Sequence, residues 1–82
     1  MHIIRIKEVL ARTGKCRSAI YAEAVAGTFT PPIKIGARAS GWPDYEIEAI
    51  NAARVAGKSD AEIKQLVADL VARRKDAMKE AA

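Results

Sequence analysis

Arg17, Ser18 and Tyr21, with Lys15 just before them and Lys34 and Arg38 further along, are the residues of this 82-residue chain whose chemistry converges on one task. Guanidinium, hydroxyl, phenol and ammonium groups supply hydrogen-bond donors and positive charge, which suits holding a polyanion better than transforming a substrate. The other reactive groups assemble no catalyst. Glu46 and Glu48 stand two apart and diverge on a helix, while Asp44 and Glu48 share a face but have no histidine or lysine set around them, so these acids read as a solvated side. Cys16 is the one cysteine and His2 the one histidine, which leaves no disulfide and no zinc ligand set, and Cys16 reads as a small buried hydrophobe rather than an activated thiol. Gly36 and Gly41 lack the spacing of a dinucleotide or phosphate loop. No catalytic, cofactor-binding or metal-binding residues are expected, and no enzymatic activity.

The elements that must position those donors follow in order. Ile3, Ile4 and Ile6 suggest an edge strand, and Lys7 to Arg12 a short helix with Val9 and Leu10 on its buried stripe. Thr13-Gly14 stops it, because glycine takes the left-handed conformation at a helix end without steric cost. A second helix from Cys16 to Ala26 places Cys16, Ile20 and Ala24 inward and Arg17, Ser18, Tyr21 and Val25 outward at about 100° per residue. Gly27 ends it. Thr28 to Pro32 must be extended, with Phe29 filling the core, and Ile33 to Trp42 then alternates as a hairpin turning at Gly36-Ala37-Arg38. Lys34 and Arg38 are exposed on that hairpin, Ile33, Ile35 and Trp42 pack on the helices, and Gly41 permits a close backbone approach. Pro43 opens a third helix at its first position, with Asp44, Glu46 and Glu48 favoured by the helix dipole and Ile47 and Ile50 inward. Ser59-Asp60-Ala61-Glu62 matches a capping box and opens a fourth helix whose Ile63, Leu66, Val67, Leu70 and Val71 recur at helical spacing. From Arg73 to Ala82 the chain is helical by propensity and expected to fray.

The net charge of +4 is unevenly placed. Met1 to Trp42 holds seven Lys/Arg against two Asp/Glu, net +5, and Pro43 to Ala82 seven against eight, net −1. A basic half on a neutral support suggests a polyanion-binding face. The sequence shows no apolar run near the ~20 residues needed to cross a bilayer, and no signal peptide, so a cytoplasmic location without membrane contact is expected. The expected fold class is mainly α with a small β-hairpin: a winged helix-turn-helix domain over residues 1–57, followed by an amphipathic C-terminal helix over 58–82.

Lys7-Glu8-Val9, Thr13-Gly14, Arg17-Ser18-Ala19-Ile20-Tyr21, Gly27-Thr28-Phe29, Pro32-Ile33-Lys34-Ile35-Gly36 and Gly41-Trp42 with Glu46-Ile47-Glu48-Ala49 together resemble the AlpA-type phage regulatory proteins, relatives of excisionase and MerR-like winged helices. The resemblance spans roughly Arg5 to Ala53. It implies a DNA-binding transcriptional regulator of prophage genes, with Arg17, Ser18 and Tyr21 on the recognition helix in the major groove and Lys34 and Arg38 on the wing. Lys15 is expected to hold phosphate beside them. The chain departs from the family pattern at Lys15, Cys16, Ala22 and Glu23, and at Cys16 the usual serine cap is absent unless Thr13 supplies it. Two other tasks fit the same residues: an excision factor that bends DNA and recruits an integrase, and an adaptor whose basic face meets an acidic protein. Expected partners are double-stranded DNA, a second copy of the chain through the C-terminal helix, and an integrase or RNA polymerase. That helix has two uses open to it, covering the third helix or pairing with its counterpart in a dimer.

Overall fold

The expected edge strand is confined to Ile3 and Ile4, and Ile6 opens the first helix instead. In the computed structural model, which describes residues 1–77, β1 (Ile3–Ile4) leads into α1 (Ile6–Thr13), with Val9 fully buried beneath it. Gly14 closes α1 in the left-handed conformation (φ 71°), its N–H donating to the Leu10 carbonyl at 2.9 Å. After the turn comes α2 (Arg17–Ala26), ended by Gly27 at φ 91°. Then follow β2 (Ile33–Gly36), β3 (Ala39–Pro43), α3 (Asp44–Val55), α4 (Asp60–Arg73) and a 3-10 turn at Arg74–Asp76. The expected fraying of residues 78–82 lies outside the described residues.

The hairpin belongs to a three-stranded antiparallel sheet ordered β1-β3-β2. Ile3 pairs with Pro43 and Ile4 with Trp42, and the Asp44 N–H donates to the His2 carbonyl at 2.8 Å. Gly41 is what lets β1 lie so close: a Cβ there would stand 2.6 Å from Ile3 Cγ2 and 2.9 Å from the Ile4 carbonyl oxygen. The structure is therefore a winged helix-turn-helix fold, mainly helical, with α4 added at the end.

One contiguous core joins the pieces. Ile4, Val9, Ile20, Phe29, Trp42, Ile47 and Ile50 form it together with Ile63, Val67 and Leu70 of α4. The α4 stripe is thus covered inside the chain, against α3, with Leu66 and Val71 half-buried at its margins. Ser59 makes the expected capping box, its hydroxyl accepting from the Glu62 N–H at 3.2 Å while the Glu62 carboxylate accepts from the Ser59 N–H at 3.1 Å.

Five further local expectations are corrected. Cys16 is exposed, because α2 begins one residue later than expected and Cys16 is its extended N-cap, outside the helical spacing. Ile35 is 42% exposed: the pairing slips between Lys34 and Gly36, and its Cδ1 lies beside Gly41. Pro43 is the last residue of β3 and the N-cap of α3, one position before the expected one. Glu46 is wholly buried where a solvated acid was expected. Its partner is Arg74, in the segment expected to fray: Arg74 Nε and Nη2 donate to the two Glu46 carboxylate oxygens at 2.8 and 2.6 Å.

Candidate nucleic-acid interface

The outer face of α2 starts at its N-terminus. Cys16 provides no side-chain cap there, and Thr13 does not replace it, since its hydroxyl donates to the Val9 carbonyl at 2.8 Å and accepts the Lys15 N–H at 3.3 Å. The start of α2 thus has no capping hydroxyl or carboxylate, and a helix N-terminus of this kind favours anions. The Cys16 thiol lies 3.3 Å from the Ser18 hydroxyl. That hydroxyl, followed by the Ala19 N–H, holds the thiol below its ordinary pKa.

Arg17, Ser18, Tyr21 and Val25 all lie on the exposed surface, as their spacing predicts. Val25 is 91% exposed, so an apolar group stands free at the far end of the same helix. Tyr21 is 37% exposed and its ring meets Trp42 at 6.0 Å between centroids with a 58° tilt. Trp42 is in turn fixed by its indole N–H, which donates to the Thr30 carbonyl at 2.8 Å, and by Phe29, whose ring lies 6.3 Å away. Through Tyr21 and Trp42, α2 and the hairpin share one seam, and the fold sets the orientation of one relative to the other. Lys34 in β2 and Arg38 in the hairpin turn are both exposed.

The acids of the basic half are neutralised at their own sites. Glu23 accepts from Lys15 Nζ at 2.7 and 2.6 Å, one bond to each carboxylate oxygen, and lies 3.7 Å from Arg54 of α3. Glu8 is bound by Arg12 at 3.2 Å. Among the described residues, Arg17, Lys34 and Arg38 have no ion-pair partner, in contrast to Lys15. Of the six residues expected to contact DNA, five stand open and Lys15 is engaged within the protein. Sequence reasoning missed Arg54 and the Lys15–Glu23 pair. The available signal was Glu23 itself, an acid within a basic segment on the margin of a buried stripe, where a counter-ion is required.

A family model described as prophage CP4-57 regulatory protein (AlpA) matches residues 2–55, more than half of the chain. The chain belongs to the AlpA family. The AlpA match takes in every element from β1 to α3 and all six candidate contact residues, whereas α4 and Arg74 lie beyond it. Comparison with curated proteins and with solved structures finds no match. Among the described residues no cluster of three or more potential metal ligands occurs, and no helix is long and apolar enough to cross a membrane.

Proposed function

We propose that this AlpA-family chain is a sequence-specific reader of double-stranded DNA that regulates transcription of prophage genes and carries out no catalysis of its own. α2 lies in the major groove, where Arg17 pairs with guanine and Ser18 and Tyr21 meet bases or phosphate. The β2–β3 wing sets Lys34 and Arg38 on the backbone or in the minor groove. The observation that supports this reading is the separation of charge: Arg17, Lys34 and Arg38 are exposed and unpaired among the described residues, while Glu23, the acid of α2, is bound by Lys15. Lys15 then acts on phosphate only by exchanging its carboxylate partner. Two copies on one operator would meet through surfaces other than the Ile63, Val67 and Leu70 stripe, which is already covered.

Selecting bound fragments from random duplex DNA tests the proposal. One enriched motif is expected, and a pool that stays random overturns base readout. Tandem, helically phased copies of the motif would point to an excision factor working with an integrase, and an isolated operator to control of transcription by RNA polymerase. Arg17→Ala should weaken binding to the enriched motif by about 1–3 kcal/mol and relax the preference at one position. Arg38→Ala should weaken all sequences alike and lower the salt slope by about 1.

A further inference from the structure

The segment that leads into the wing has unusual needs. Pro31 and Pro32 have no N–H, so the backbone there can be held in place only through its carbonyls. Two successive carbonyls are held. Thr30 accepts from the Trp42 indole at 2.8 Å, and Pro31 accepts from Arg74 Nη2 at 2.8 Å. The same guanidinium grips both oxygens of the fully buried Glu46, at 2.8 and 2.6 Å, and is itself only 19% exposed. One planar fork from the end of α4 thus joins α3 to the segment that leads into the hairpin.

We infer that Arg74 is a positioning residue for the wing, so that α4, outside the AlpA-matched segment, sets how firmly Lys34 and Arg38 are presented to DNA. This rests on the reading of β2–β3 as a DNA-contacting wing. Glu46 fixes the plane of the guanidinium through Nε and Nη2, and the second N–H of Nη2 donates to the Pro31 carbonyl. A lysine keeps the charge against Glu46 but has one nitrogen in place of the fork, and cannot grip both carboxylate oxygens and the carbonyl in the same geometry.

Arg74→Lys is therefore compared with the wild type and with Arg38→Ala in titrations of a short duplex of arbitrary sequence at several salt concentrations. Amide hydrogen exchange is followed alongside. Loss of one charge-assisted hydrogen bond predicts exchange faster by about tenfold in Ile33–Gly36. The amides of α1 and α2 are expected to keep their wild-type rates. The salt slope should fall as it does in Arg38→Ala, and the double variant should lose less affinity than the product of the two single losses, because both act through one wing. Wild-type affinity and slope in Arg74→Lys, alongside weakened binding by Arg38→Ala, would overturn the inference and leave the DNA reading standing. Exchange that quickens evenly through the molecule, or losses that multiply, would also overturn it. A wild-type chain that binds no duplex removes the DNA reading and this inference together. Should Arg74→Lys fail to fold, the pair Glu46→Gln with Arg74→Gln, which removes the buried charges and lacks the fork, is read by the same criteria.

Discussion

The Cys16 thiol stands at the mouth of α2, next to the side chains proposed to meet DNA, and the Ser18 hydroxyl lowers its pKa. A lowered pKa means that thiolate is present at lower pH than in an unstructured peptide. The rate of alkylation by iodoacetamide should accordingly rise at a pH below the ordinary thiol range, and Ser18→Ala should move that rise upward. Bound duplex should slow the reaction; an unchanged rate with the protein saturated by DNA would mean that this end of α2 stays out of the groove. The outer face of α2 was legible in the sequence because helical spacing alone separates Arg17, Ser18 and Tyr21 from Ile20. Cys16 was not, because a shift of one residue in the helix start takes it off that spacing. Lys15 was legible as a cation but not as the partner of Glu23, since that bond closes across the turn that precedes the helix.

At the scale of elements, β1 depends on a missing side chain. Gly41→Ala sets a methyl group against Ile3 Cγ2, which can swing away, and against the Ile4 carbonyl oxygen, which cannot without moving the strand. A loss of about 1–3 kcal/mol is expected in urea unfolding. Cross-peaks between β1 and β3 should weaken first. The α4 cap makes a second prediction. The Ser59 N–H and then its hydroxyl hold the Glu62 carboxyl below the usual range, so its share of stability is complete above the pKa of the unfolded chain and is lost as pH falls through the lowered folded value. Ser59→Ala should lower Tm by roughly 4–8 °C at neutral pH, and the gap from the wild type should narrow in acid. Caps and stops such as Gly14, Gly27 and Ser59–Glu62 were readable because their partners lie within a few residues. The bulge that exposes Ile35 was not, because alternation fixes a face only while pairing stays in register.

At the scale of the whole molecule, the core continues past Gly57, since Ile63, Val67 and Leu70 of α4 join the same cluster as Ile4, Val9, Ile20, Trp42 and Ile47. A chain ending at Gly57 loses Ile63, Val67 and Leu70 and leaves Glu46 without Arg74. It should show no cooperative melting by circular dichroism, whereas the full chain should melt in a single transition. Glu46 and Arg74 are 28 positions apart, and neither periodicity nor composition links residues at that distance, which is why an acid in the first turn of α3 passed for a solvated one. The same architecture supplies an optical probe. The single indole of the chain is wholly screened from solvent, 6.0 Å from the Tyr21 ring, on the seam between α2 and the wing. Its emission should be blue-shifted in the native protein and sensitized by excitation of the neighbouring phenol. A change in that transfer on adding duplex would report movement at the seam without any attached dye.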